Sequence, residues 1–227
     1  MNRERALILG LILLIFLGLS SFLVYRAVLT TRDTFKAGAP TVLLRNFTVP
    51  ANIPLSQLRP PALYPADQMR FGSVTSVASI VLFGDYYCVN CKTLEKTIST
   101  LLPKYNGKVR YIWRDMVKDD GKALDAALFA YCAGLQGKFW SAHDALMNDR
   151  PSEFLISAIV SQLNLDRGAT SDCRLNPSSK NLIKRDSDLA QSDGVTSTPI
   201  LFVGTRAFGA DVTSQQIQDE LDAYLKL

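Results

Sequence analysis

The chain has 227 residues, with 25 Lys and Arg against 21 Asp and Glu, a formal net charge of +4 and 48% hydrophobic residues. That length holds one ordinary domain with additions, and 11 Phe, 8 Tyr and 2 Trp supply a full core. The cations are scattered, with no basic stripe interleaved with aromatics, which argues against nucleic acid binding; internal repeats and low-complexity tracts are absent from the sequence.

Arg3, Glu4 and Arg5 precede an uncharged apolar run from Ala6 to Tyr25. As a helix it would span roughly 30 Å, one bilayer core. It is therefore expected to be a single transmembrane anchor, with residues 6–25 in lipid. A cleaved signal peptide, with Gly18-Leu19-Ser20 as its small-residue site, is the competing reading. Arg26, Arg32 and Lys36 follow the run, so charge alone leaves the orientation open. Residues 26–69 then carry Pro40, Pro50, Pro54, Pro60, Pro61 and Pro65, six of the ten prolines. Proline at that density predicts a stiff, extended linker. Within it, Thr41 to Val49 reads as an edge strand or a partner-binding segment.

Val74 to Phe83 is expected to contribute strand, with Ile80-Val81-Leu82-Phe83 buried. Cys88-Val89-Asn90-Cys91 follows it. Leu94, Ile98, Leu101 and Leu102 then recur at i, i+4, i+7 and i+8, which predicts a helix up to Pro103. Two cysteines three apart in a first helical turn lie on one side, close enough to bridge. The unpaired backbone N–H groups there favour a thiolate, so the pair is suited to repeated oxidation and reduction. Lys108 to Val117 alternates apolar Val109, Tyr111 and Trp113 with charged neighbours and predicts a second strand, giving a βαβ unit.

From about 119 to 193 the pattern is helical and lacks a strand signal. One apolar face is Ala123, Ala126, Ala127, Ala130 and Tyr131; others are Phe139, Ala142 and Leu146, then Phe154, Ala158 and Ile159. Pro151-Ser152-Glu153 starts a helix, and Asn176-Pro177-Ser178 breaks the array before a last amphipathic stretch over 180–192. Strand then resumes at Ile200-Leu201-Phe202-Val203. Gly204-Thr205 turns the chain and Arg206-Ala207-Phe208 returns antiparallel. Thr213 with Gln216 forms a capping box for a final helix bearing Ile217, Leu221 and Tyr224.

Three segments carry a resemblance: Phe83-Gly-Asp-Tyr-Tyr-Cys-Val-Asn-Cys91, the stretch from Ala130 to Leu146 with Phe139-Trp140-Ser-Ala-His143-Asp144, and Gly194-Val-Thr-Ser-Thr-Pro-Ile-Leu-Phe-Val-Gly204. Together they resemble the DsbA-like thiol–disulfide oxidoreductases of the thioredoxin superfamily, over about residues 70–227. The resemblance implies an α/β, thioredoxin-like fold with an inserted helical subdomain (about 119–193), preceded here by the N-terminal transmembrane helix. It implies that Cys88 is the exposed nucleophile, Cys91 its shielded partner and Pro199 a cis proline beside them. Val89, Asn90, Thr198 and Pro199 would then meet an extended substrate, with Thr198 offering backbone groups.

The sequence departs from that family twice. Val89-Asn90 replaces the Pro-His or Pro-Tyr dipeptide usual in strong oxidases, so Cys88 lacks a histidine to stabilise its thiolate. The acid many relatives bury six positions before the first cysteine is Leu82 here. Asp85 is the nearest carboxylate; a loop or cap role suits it better than accepting a proton from Cys91.

Zinc at the CxxC would want a second close ligand pair, but Cys132 and Cys173 are far apart in sequence and His143 is the one histidine. A c-type haem needs His at position 92, which is Lys. No metal and no cofactor beyond the redox-active disulfide is expected. In an oxidising compartment Cys132 and Cys173 would pair as a structural disulfide, with two buried free thiols as the alternative. His143 reads as a structural helix residue rather than a catalytic base.

The expectation is thus a membrane-anchored, extracytoplasmic disulfide donor for translocated, cysteine-containing proteins. By resemblance it would be reoxidised by a quinone-linked membrane partner. A reductase or isomerase on the same fold, and a non-catalytic peptide-binding module, are the alternatives.

Overall fold

In a computed structural model of the chain, the residues described are 54–63, 69–70, 72–73, 75–117 and 121–226. The expected anchor over residues 6–25 and the strand expected over 41–49 lie outside them. Among the described residues no helix is long and apolar enough to cross a membrane.

Among the described residues, five strands form one sheet: β1 (Met69–Arg70), β2 (Ala78–Gly84), β3 (Val109–Asp115), β4 (Ile200–Val203) and β5 (Arg206–Phe208), in the order β1-β3-β2-β4-β5. Only β2 and β3 run parallel, joined through helix α1 (Val89–Leu101). The other pairings are antiparallel. A parallel pair needs a long crossover, and the CxxC helix supplies it.

The sheet is covered on two faces, and strand alternation assigns its residues to them. Ile80, Leu82, Tyr111, Trp113, Leu201 and Val203 belong to the larger core, with Leu94 and Ile98 of α1 and Ile217 and Leu221 of the C-terminal helix. Val81, Phe83, Ile112 and Phe202 face a smaller core completed by Leu58, Met116, Ala190, Val195 and Ile200. This double burial explains why β2 reads as a continuous apolar run rather than an alternating one.

Five helices, α2 (Lys122–Gly134), α3 (Phe139–Asn148), α4 (Glu153–Gln162), α5 (Arg167–Leu175) and α6 (Pro177–Ser192), separate β3 from β4. Local chemistry sets their starts. Ser152 and Asp166 cap α4 and α5 by accepting the N–H groups of Leu155 and Ala169. Asn176 caps α6, whose first residue is Pro177, a position where the missing N–H costs nothing. The residues read as a helix break therefore open α6 three positions before the expected start. Helix α7 (Ser214–Leu225) begins at the full capping box of Thr213 and Gln216.

Residues 54–63 fall within the expected linker, yet they lie against the domain. Leu58 is buried, the Arg59 N–H donates to the Asp193 carbonyl at 3.1 Å, and Arg114 donates to the Ala62 carbonyl at 2.9 Å. Proline density reports a stiff backbone; Leu58 and Leu63 give that stiff segment an apolar side to pack.

All four cysteines are bridged. Cys132 of α2 pairs with Cys173 of α5 across a sequence separation of 41, with Cα atoms 5.8 Å apart. Arg174, next in line, binds Asp125 of α2 at 2.7 Å and Glu153 of α4 at 2.6 Å, so three helices of the insert are tied at one point. Cross-linking a loop of this length stabilises by about 4 kcal/mol in the chain-entropy model. Replacing both cysteines, Cys132→Ala with Cys173→Ala, is expected to cost roughly 2–4 kcal/mol in urea unfolding. An unchanged unfolding midpoint would show that the bridge adds nothing to the fold.

Candidate active site

Strand β2 ends at Gly84, and the loop 85–88 carries the chain into α1. Gly84 is needed there: a Cβ would collide with the Trp113 ring. Asp85 organises the loop. Its side chain accepts the Tyr87 N–H at 2.7 Å and its carbonyl accepts the Cys88 N–H at 3.1 Å. This is the loop role that its sequence position suggested.

Cys88 is the N-cap residue of α1. Its backbone is extended, and its Sγ accepts the Cys91 N–H at 3.0 Å. A sulfur at an N-cap faces the unpaired N–H groups of the first turn, which stabilise negative charge on it once the disulfide opens. Cys88 is bonded to Cys91, with Cα atoms 5.2 Å apart. The two sulfurs differ in access: Cys91 is wholly buried, whereas Cys88 is half-buried. Val89 is 74% exposed and Asn90 is exposed beside it, so the dipeptide forms the outer surface of the disulfide.

The Thr198–Pro199 peptide bond is cis. Ile200, the next residue, pairs with Phe83 of β2. That register puts Thr198 and Pro199 at the sheet end from which the CxxC loop leaves. Pro199 is buried and Thr198 is half-buried. Leu82, at the position where relatives carry an acid, lies fully buried in the larger core.

Several polar residues that the sequence reading did not single out lie under this site. Tyr86 is buried, with its hydroxyl 3.0 Å from Nδ1 of His143 and its ring 5.3 Å from that of Trp113. Burial holds its phenol well above the usual range. Trp113 Nε1 donates to Asp115 at 2.8 Å. Asp115 pairs in register with Gly84, at the same sheet end as the CxxC loop. Its carboxyl is pushed up to about 7, chiefly by burial and further by Asp186 and Asp85; the bond from Trp113 opposes the rise. Asp115 continues the phase of Tyr111 and Trp113, which was the available signal that it is buried. Tyr87 ties the loop to the insert by donating to the Pro151 carbonyl at 2.8 Å.

A family model described as Thioredoxin matches residues 66–223. Among solved structures, a thioredoxin-like oxidoreductase from Silicibacter pomeroyi is similar, with a TM-score of 0.64 and 25% identity, covering 72% of this chain and 95% of that one. The thiol-disulfide exchange protein alpha-DsbA2 from Wolbachia pipientis has a TM-score of 0.62 and 24% identity, covering 69% and 86%. Among curated proteins, the Na(+)/H(+) antiporter NhaA 1 of Salinispora arenicola is 33% identical over 134 residues. That alignment covers 56% of this chain and 20% of the antiporter, so the chain spans about a fifth of that relative's length.

A CxxC disulfide at a helix N-terminus, a cis proline at the same sheet end and helices inserted between β3 and β4 define a thioredoxin-like α/β fold. The chain belongs to the thioredoxin family.

The Asp115 carboxyl gives a pH test. Folded, it keeps its proton to about pH 7, whereas the unfolded chain releases it near pH 4. Between those values the folded state binds more protons, so this group makes stability fall as pH rises. Asp115→Asn keeps an acceptor for Trp113 and removes the titration. Urea unfolding should show the variant gaining on the wild type from pH 4 to 7, by on the order of 1–4 kcal/mol, and level above. A difference independent of pH would rule this out.

Proposed function

We propose that the protein is an extracytoplasmic thiol–disulfide oxidoreductase that donates the Cys88–Cys91 disulfide to translocated proteins. The observation that carries the reading is the asymmetry of the pair: an accessible sulfur at a helix N-terminus bonded to a wholly buried one. A substrate thiolate attacks Cys88 Sγ, because Cys91 Sγ is out of reach. The S–S bond breaks, Cys91 leaves as thiolate, and a mixed disulfide joins substrate to Cys88. A second substrate thiolate attacks the substrate sulfur of that bond and releases the Cys88 thiolate. Two electrons have then moved from the substrate to the Cys88–Cys91 pair, and both thiolates can take up protons.

The redox-active disulfide is the only reactive group this scheme needs. Val89, Asn90, Thr198 and Pro199 would form the surface on which the substrate backbone lies. Regeneration requires an oxidant; a quinone-linked membrane protein is the proposed partner. Residues 6–25 would hold the domain at the outer face of a cell membrane, in contact with lipid. Two sealed disulfides within one domain accord with an oxidising compartment.

One feature favours the opposite direction. Neither Val89 nor Asn90 carries an ionisable group to stabilise the Cys88 thiolate, and a less stabilised thiolate makes the pair a weaker oxidant. The same site would then serve as reductase or isomerase.

Two variants test the chemistry. Cys88→Ala should abolish oxidation of a reduced dithiol peptide. Cys91→Ala should accumulate a mixed disulfide between Cys88 and reduced, unfolded proteins, visible as a DTT-sensitive mass increase. Retained oxidation in the first variant would overturn the Cys88 mechanism, and no adduct in the second would leave a peptide-binding module in place of an enzyme.

A further inference from the structure

Beneath α1 lies a polar cluster for which disulfide exchange has no use. Glu95 sits one helical turn beyond Cys91, so it shares the buried face, and it is 5% exposed. The Tyr111 hydroxyl donates to its Oε2, and Ser99 donates to Oε1 at 3.3 Å. Opposite it on α3 is His143, which is wholly buried. The two nitrogens of His143 differ. Nδ1 meets the Tyr86 hydroxyl, while Nε2 is buried with no hydrogen-bond partner among the described residues. Its neighbour is Glu95 Oε1 at 3.6 Å, outside the 2.7–3.2 Å range of an N–H···O bond. A buried polar atom left like this is costly, and such an atom calls for a ligand.

We propose that Glu95, His143 and Asp144 form a binding site for a single divalent transition-metal ion of the zinc class. One ligand atom from each residue lies within 4.8 Å of the other two. With bonds of about 2.0–2.1 Å, two donors on a tetrahedral ion stand about 3.3 Å apart. The 3.6 Å between Glu95 Oε1 and His143 Nε2 is close to that edge. An octahedral magnesium site would bring them to about 2.9 Å, and calcium prefers six to eight oxygens. One nitrogen and two carboxylate oxygens, with water as a fourth ligand, suit zinc chemistry.

The supports for such a site are in place. Nδ1–H of His143 donating to Tyr86 would fix the tautomer that leaves Nε2 with its lone pair, and Tyr111 holds the Glu95 carboxyl. Glu95, Asp144, Ser99 and Met147 line a surface depression of about 630 Å³, which gives the ion an entry path and supplies the water. Lys92 and Lys96 line it too and lower the affinity below that of an all-acidic site. The Lys92 ammonium is held by the carbonyls of Asp149 at 2.6 Å and Leu146 at 3.3 Å. An ion here would clamp α1, which carries the disulfide, to α3 of the insert. The expectation of no metal considered ligands for the CxxC alone; Glu95 and His143 are brought together only by the packing of α1 on α3.

The test uses the full chain with both disulfides intact, so that no thiolate competes for the ion. Zinc is titrated in competition with a chromophoric chelator. The expected result is one ion per chain, at least ~10-fold weaker binding in His143→Gln and in Asp144→Ala, and no displacement by excess magnesium or calcium. Asp144 is half-buried, so its variant reads the site even if His143→Gln does not fold. Cobalt(II) gives a second readout, since four-coordinate cobalt absorbs intensely in the visible. Absence of stoichiometric zinc binding, or wild-type affinity in Asp144→Ala, would overturn the proposal and leave a buried His–Glu contact.

Discussion

The functional geometry depends on one short hydrogen-bonded turn: the Cys91 N–H donating to the sulfur of Cys88 at the first turn of α1. That contact makes the cysteine at once the cap of the helix and one end of the disulfide. It can form because β2 stops at Gly84, where the Trp113 ring leaves no room for a side chain, and because Asp85 closes the turn that follows. The exposure difference between the two sulfurs follows from the same turn. Cys91 points along the face that carries Leu94, Glu95 and Ile98 into the core, while Cys88 stands at the tip.

The larger core then supports the tip from beneath. Trp113, Tyr86 and His143 pack beneath the loop in tilted and edge-to-face contacts, with ring centroids between 4.7 and 5.4 Å apart. Aromatic groups give a rigid floor, but each brings a polar atom that must be satisfied when buried. Asp115 serves Trp113, and His143 serves Tyr86. The cost reappears as a carboxyl raised by desolvation and a ring nitrogen without a hydrogen bond. Polar atoms of this kind beneath a reactive disulfide fit a floor shaped by more than stability.

Much of the fold was legible because it is encoded by local pattern. The apolar run at 80–83, the CxxC helix, the strand around Trp113, the return at 206–208 and the capping box at Thr213 all depend on neighbours in sequence. What was missed depends on distant contacts. Strand β1 is two residues long and is defined only by its pairing with Ile112 and Tyr111. Helix α5 lies in the stretch read as helical, but its face could not be assigned: it is mostly small and polar residues, only Thr170 is buried, and the Cys173 bridge and the Arg174 contacts hold it. Residues 54–63 read as tether because their apolar residues are too few to reveal a face until Leu58 joins the smaller core that holds Val81 and Ala190. At the site, Cys88 and Cys91 were visible by spacing and Pro199 by resemblance. Glu95 and His143 lie 48 positions apart and could be joined only by the packing of α1 on α3.

The most direct test of the central claim is the equilibrium reduction of the Cys88–Cys91 pair in glutathione buffers, read by thiol alkylation and mass spectrometry to separate it from Cys132 and Cys173. The account predicts a single two-electron couple between about −120 mV, the disulfide-donor end, and about −270 mV, the reductant end. Cys132 and Cys173 should stay oxidised across that range. A Cys88–Cys91 pair that never interconverts with its disulfide would contradict the account.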